Sequence, residues 1–249
     1  MKNSSKHLTL KKIILDLLFP ANCIIWEHPG SYLCGKCHSS IPVKKTDFCP
    51  ICEKTEAFAG RVCNICENQK GKIFLDGIIV ASYYRHPVLQ EAIYRYKYNF
   101  VRGLAWPLSR ILWGKITTLP DFPFAEFTLS AVPLHPKRKS WRGFNQSELL
   151  VKKLHRRASQ KNIPVRYLPN ILVRKTNTKP QMKIKSFQKR KANIAHCFAL
   201  NEVFRGELPA KILLIDDIVT TGATLEECAR VLKKHGVQKV WGLVLGRQS

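Results

Sequence analysis

A chain of 249 residues with 45% apolar content can bury one substantial core with a smaller unit attached, which excludes a disordered tail. The formal net charge of +25, from 42 Lys and Arg against 17 Asp and Glu, favours a polyanionic partner or an acidic surface. No stretch approaches the roughly 20 apolar residues that span a bilayer, so a soluble, cytoplasmic protein is expected.

Residues Leu8 to Phe19 are expected to form a short amphipathic helix ended by Pro20. Lys11 and Lys12 ahead of an apolar run imitate a lipoprotein signal, but Asp16 interrupts the run. Of nine cysteines, seven lie between Cys23 and Cys66 and six of those form Cys-x-x-Cys pairs, which favours zinc in a reducing compartment over a secreted disulfide framework. Cys49-Pro-Ile-Cys52 and Cys63-Asn-Ile-Cys66 are two knuckles that can converge four thiolates on one structural zinc, leaving no open position for catalysis. Cys34-Gly-Lys-Cys37 is a third knuckle, but Cys23 has no cysteine three residues on, where Trp26 stands, so the preceding set is incomplete. A second zinc on Cys23, Cys34 and Cys37 therefore needs His28 or His38 as fourth ligand; the alternative is a metal-free remnant, and pairing across the two sets also stays open.

The texture changes near Asp76, dividing the chain into a cysteine-rich zinc-knuckle domain over 1–72 and an α/β domain over 73–249. Gly77 to Tyr84 reads as a strand, and Pro87 opens a helix whose period is kept by Val88, Leu89, Ala92, Ile93 and Tyr96. The run Tyr94-Arg-Tyr-Lys-Tyr98 has two readings: rings and cations that stack bases and hold phosphates, or a helix with one core face and solvated Arg95 and Lys97. Leu129 to Val132 makes a short buried strand, and Asn145 with Glu148 caps the next helix, placing Leu149, Leu150 and Leu154 inward.

Charge is concentrated from Lys137 to Lys191, with eighteen basic residues and one acid, Glu148. Lys137 and Arg138, two adjacent cations in a loop after a strand, suit an anionic ligand, although a solvated basic loop from Lys137 to Arg142 would look the same. Arg174 to Lys191 carries more cations than a small ligand needs, whereas a groove along a DNA strand gains from a row of them by counterion release. Solubility, RNA or anionic lipid would also use such a row.

Ile212-Leu-Leu-Ile215 lacks alternation, as in a strand buried on both faces of a parallel sheet. It delivers Asp216 and Asp217 to the carboxyl end, where ligands bind in such sheets. Thr220-Thr-Gly-Ala-Thr224 then turns into a helix that the spacing of Thr224 and Glu227 marks as a capping box, and Gly236 supplies its stop. The first amides of that helix suit a phosphate; a plain strand-turn-helix corner is the alternative.

This run resembles the phosphoribosyl-pyrophosphate signature of the type I phosphoribosyltransferase fold. Val132-Pro-Leu-His-Pro-Lys-Arg138, Arg142-Gly-Phe-Asn-Gln146, Arg174-Lys-Thr-Asn-Thr-Lys-Pro-Gln181 and Arg190-Lys-Ala-Asn193, with the cysteine pairs, narrow the resemblance to the ComF family. The resemblance implies a parallel sheet with helices on both faces, plus a small N-terminal zinc-knuckle domain. By the same analogy Asp216 and Asp217 are the catalytic pair at the ribose, Thr220, Thr221, Gly222, Ala223 and Thr224 hold the 5′-phosphate, and Lys137 with Arg138 lies where pyrophosphate binds. Arg142 to Gln146 would be a mobile segment over the site, and magnesium would accompany phosphoribosyl pyrophosphate. The family association is with natural transformation, which implies handling of incoming single-stranded DNA through Arg174, Lys183, Lys185, Lys189 and Arg190. A competence helicase and the inner face of the membrane are further implied partners. The competing expectation is an active phosphoribosyltransferase in nucleotide salvage; a regulator of duplex DNA lacks an evident helix-turn-helix. No base-recognition pocket is legible in the sequence.

Overall fold

The computed structural model describes residues 21–69, 73–178 and 194–248. The expected helix from Leu8 to Phe19, and Gln181, Lys183, Lys185, Lys189, Arg190, Lys191 and Asn193, lie outside the described residues. In chain order the elements are α1 (Gly35–Ser40), α2 (Asn64–Gln69), β1 (Gly77–Tyr83), α3 (Pro87–Tyr98), α4 (Ala105–Thr117) and β2 (Thr128–Ala131). Then follow α5 (Pro136–Arg142), α6 (Gln146–Gln160), β3 (Arg166–Tyr167), β4 (Leu172–Arg174), β5 (Phe198–Leu200), β6 (Lys211–Val219), α7 (Ala223–Lys234) and β7 (Lys239–Arg247).

A five-stranded sheet has the order β1-β7-β6-β2-β3, with every pairing parallel. β4 and β5 form a separate antiparallel pair. The unbroken apolar runs are explained by burial on both faces: Leu213 and Ile215 of β6 join one core, Ile212 and Leu214 the other. Leu243 and Leu245 of β7 face the first core with α3, α4 and α6, whereas Val240 and Val244 face the second with α7.

The cysteine-rich segment packs on this frame. Cys23, Ile24, Leu33, Cys37 and Ile41 belong to the same core as α3 and α4, while Cys49, Val62 and Cys66 make a small cluster of their own. Lys44 N donates to Ala81 O at 2.9 Å and Ser82 Oγ to Pro42 O at 2.6 Å, attaching the segment along β1. Lys115 of α4 meets Asp47 at 2.7 Å, both side chains buried.

Two helix caps depart from expectation, one in position and one in a single partner. Gly222, not Thr224, is the N-cap of α7, at φ 80°. The left-handed turn there is open to glycine at little cost, and it moves the helix start one residue ahead of Thr224. Glu227 is thus unavailable for a capping box: its carboxylate accepts from His196 N at 2.7 Å and pairs with Arg230. At α6, Asn145 caps as expected by accepting from Ser147 N, but Glu148 turns to Lys152 and Lys139.

Candidate functional site

The sheet order creates one crevice. From β6 the chain returns through α7 to β7 on one side, whereas from β2 it proceeds through α6 to β3 on the other, so the two connections diverge between β2 and β6. Such a switch point opens a cleft beyond the carboxyl ends of the strands. Pairing of β2 with β6 ends at Ala131 and Ile215, and β6 continues alone on that edge through Asp216 and Asp217. Both carboxylates are therefore within the strand and beside the opening rather than beyond its end.

The cleft is lined by Lys97, Tyr98, Arg138, Arg142, Gln146, Arg174, Asp216, Asp217, Thr220, Gly222 and Thr224, among others. Ser147 Oγ donates to Asp216 Oδ1 at 2.7 Å, and the amide of Asp217 donates to the same oxygen at 2.9 Å. Burial, followed by the adjacent Asp217 charge, pushes the Asp216 carboxyl up to about 7. Lys97 Nζ lies 2.9 Å from Asp217 Oδ1, which also accepts from Ile218 N; Asp217 Oδ2 is buried with no protein partner among the described residues. A carboxylate oxygen so placed fits a divalent cation or a sugar hydroxyl.

Among the described residues four cations face two carboxylates in this cleft, an excess that favours an anionic ligand. Arg138 and Arg174 both donate to Thr178, to its carbonyl and its hydroxyl respectively. Burial holds both guanidinium groups below their ordinary pKa, reinforced at Arg138 by Arg174 and Arg142. Arg142 donates to Gln146 Oε1, while its Nε is buried without a partner among the described residues. The N-terminal end of α7 borders the same space through Gly222, Thr224 and Leu225, and Thr221 Oγ1 accepts from Ala223 N at 3.4 Å.

The structure brings Asp216, Asp217, Thr220, Gly222, Thr224, Arg138 and Arg142 together. Thr221 and Ala223 sit in the connecting turn, and Lys137 is exposed and does not line the cleft. Arg174, which by the family pattern lines either the DNA groove or the substrate pocket, lies in the cleft with its guanidinium 5.3 Å from the Phe198 ring centre. In the segment expected to be mobile over the site, Gly143 closes α5, Asn145 Nδ2 donates to Val132 O at 3.1 Å, and the Tyr96 hydroxyl donates to Gln146 O at 2.7 Å.

Lys97 and Ser147 are residues that sequence reasoning missed. Both sequence readings of Lys97, solvated or holding phosphates beside stacking rings, place it at the surface, yet it is 8% exposed and ion-paired. A signal was present: Leu89, Ile93 and Lys97 are spaced by four, so the lysine continues an inward-facing row of the helix. Ser147 carried no comparable signal, since its partner Asp216 is 69 residues distant in sequence.

The sulfur ligands of Cys49, Cys52, Cys63 and Cys66 all lie within 4.8 Å of one another, as do those of Cys23, Cys34 and Cys37. Tetrahedral zinc with Zn–S near 2.3 Å requires sulfurs about 3.8 Å apart, so the separation of 4.0 Å between Cys52 and Cys63 fits. Backbone amides of Lys54 and Thr55 bring the Cys52 thiol down to about 5, whereas burial and then the Cys63 thiol push Cys66 up to about 12. Thiols arranged in this way ionise together only around a cation. Neither His28 nor His38 joins the three-cysteine group among the described residues. His38 instead has its Nε2 buried without a partner and is held below its usual pKa by burial and by Arg110. Among the described residues no helix is long and apolar enough to cross a membrane.

Residues 147–245 match the family model of the phosphoribosyl transferase domain. The chain is 31% identical over 219 residues to Competence protein F of Haemophilus influenzae, an alignment covering 85% of this chain and 89% of that protein. It is 30% identical over 224 residues to DNA utilization protein YhgH of Escherichia coli K12, covering 85% and 89%. It is 28% identical over 215 residues to Competence protein ComFC of Bacillus subtilis, covering 84% and 80%.

Proposed function

The chain belongs to the competence protein F (ComF) family, and we propose that it serves natural transformation in the cytoplasm by handling incoming single-stranded DNA, with phosphoribosyl pyrophosphate as the ligand of its cleft. The observation that carries this reading is the opposition, across one switch-point crevice, of the Asp216–Asp217 pair, the α7 N-terminus and the cations Lys97, Arg138, Arg142 and Arg174. A ribose bearing a monophosphate and a pyrophosphate presents two diol oxygens between two anionic ends, and the cleft offers acceptors between two groups of donors.

Each residue has a distinct task in this reading. Asp216 and Asp217 accept from the ribose hydroxyls, and Ser147 fixes the orientation of Asp216. The amides after Gly222 and the hydroxyls of Thr220, Thr221 and Thr224 take the 5′-phosphate. Arg138 and Arg142 balance the pyrophosphate. The buried Asp217 Oδ2 fits magnesium, which when bound would screen the pyrophosphate charge. Zinc on Cys49, Cys52, Cys63 and Cys66, and on Cys23, Cys34 and Cys37, would be structural, holding short knuckles together. The proposed polynucleotide surface begins at Arg174 and includes Lys183, Lys185, Lys189 and Arg190; a competence helicase and the membrane surface are proposed neighbours.

A second reading follows from the same carboxylates. If a base is positioned against the anomeric carbon, the cleft is that of an active phosphoribosyltransferase, in which the base nitrogen replaces pyrophosphate. One experiment tests both readings: titration with phosphoribosyl pyrophosphate and magnesium, with and without a labelled single-stranded oligonucleotide, against an Asp216→Asn/Asp217→Asn control. Binding of both ligands by the parent, with sugar-phosphate affinity lost in the control, is expected. Pyrophosphate release on adding a common base would favour the enzyme; no binding of phosphoribosyl pyrophosphate would overturn the assignment of the cleft.

A further inference from the structure

Four large rings stand on the surface beside this cleft. Tyr94, Tyr98, Phe100 and Trp141 are 54%, 42%, 37% and 60% exposed. They form two touching pairs: Tyr94 and Tyr98, one turn apart on α3, have ring centres 5.3 Å apart, and Phe100 meets Trp141 edge to face at 4.9 Å. Tyr98 lines the cleft together with Arg138 and Arg142, and Trp141 lies on α5 between those two arginines. The aromatic patch thus borders the mouth of the anionic-ligand site.

The backbone is arranged to present it. Phe100 has φ 59°, a left-handed conformation that is unfavourable for a bulky side chain and for which glycine is the ordinary solution. Here it carries the chain off the end of α3 and sets the ring against Trp141. Exposed aromatic clusters of this kind are uncommon on a surface with no partner. Cations adjoin them in the chain: Lys137 is exposed one turn before Trp141 on α5, and Arg102 is exposed two residues after Phe100. A second copy of this chain would bring like charge against like charge; a polyanion with planar apolar groups satisfies both components at once.

We propose that Tyr94, Tyr98, Phe100 and Trp141 form a stacking platform for the unpaired bases of a single-stranded polynucleotide, whose phosphates run along Arg102 and the cations of α5. The proposal rests on the single-stranded DNA reading above and assigns it residues other than the Arg174 to Arg190 cations. Tyr96 and Lys97 take no part in stacking, because both point into the protein. The platform meets the sugar-phosphate cleft at Tyr98, so a strand lying on it passes the cleft opening.

The test uses the full chain and two labelled oligonucleotides of equal length and charge, one an oligothymidylate and the other abasic. Phe100→Gly and Trp141→Ala are the variants; glycine suits φ 59°, so Phe100→Gly removes the ring without straining the fold. Anisotropy is expected to show the parent binding oligothymidylate about tenfold or more tighter than the abasic strand. Both variants should lose that preference while keeping the abasic affinity, the salt dependence and the affinity for magnesium phosphoribosyl pyrophosphate. Equal binding of the two strands by the parent, or an unchanged preference in the variants, would overturn the platform and leave the DNA reading intact. Binding of neither strand by the parent would overturn both. Vesicles containing anionic lipid form the last arm: if the variants lose vesicle binding but retain the base preference, the patch is a membrane surface and the proposal fails.

Discussion

Lys97 and Asp217 meet at 2.9 Å in the floor of the cleft, with the lysine 8% exposed and the aspartate 3%. The pair joins α3 to β6, elements more than a hundred residues apart in sequence. One end of α3 therefore carries a cation into the ligand site while its outer face presents Tyr94 and Tyr98.

Lys97→Met should strongly destabilise the fold, because it leaves a buried carboxylate without its counter-ion, at a cost of about 3 to 5 kcal/mol. Urea unfolding would measure the loss. Adding Asp217→Asn should recover part of it; a double variant as unstable as the sum of both single changes would show that the pair is not coupled.

The Asp216 carboxyl, pushed up to about 7 by burial and by Asp217, makes stability depend on pH. Its folded pKa is raised above the unfolded one, so the folded state holds the extra proton between roughly pH 4 and pH 7. The stabilisation from this group is fully present below that window and is lost as pH rises through about 7. Asp216→Asn keeps the oxygen that accepts from Ser147 and from the Asp217 amide but carries no charge. Relative to the parent it should gain on the order of 1 kcal/mol or more between pH 5 and pH 8. Parallel stability curves for the two proteins would contradict the assignment.

Gly222→Ala tests the left-handed cap of α7. An added Cβ would meet Ile78 Cδ1 at 3.4 Å, an ordinary contact, so the expected loss of about 1 kcal/mol comes from φ 80° alone. Because Gly222 lines the cleft, calorimetry should record at least tenfold weaker binding of phosphoribosyl pyrophosphate. Unchanged affinity would place the phosphate elsewhere.

The two cysteine clusters should differ in metal retention. Four thiols surround one position and three the other among the described residues, so a mild chelator is expected to draw zinc first from Cys23, Cys34 and Cys37. Cys49→Ser should release the more tightly held ion and unfold the small Cys49–Val62–Cys66 cluster. Full metal content in that variant, by elemental analysis, would show that these are not the ligands.

Much of the architecture was legible because burial on both faces leaves a composition signal. Ile212 to Ile215 had to sit between two layers, and Leu89, Ala92, Ile93 and Tyr96 had to face a core, so the α/β class followed before any contact was known. The cap of α7 was read two residues late, at Thr224 rather than Gly222, because a Thr-x-x-Glu pattern is local, whereas the use of Glu227 depends on His196 and Arg230 arriving beside it.

The sequence by itself determined the parallel sheet, the Asp216–Asp217 pair with its threonine turn, and the clustering of seven cysteines, since each is written in short-range spacing that local sterics and burial translate directly. Only the tertiary structure decided that Lys97, Ser147 and Arg174 converge on that pair and that Phe100 meets Trp141 beside it. Those meetings depend on how the helices cross the sheet, and side chains brought together across tens of residues leave no period for a sequence to display.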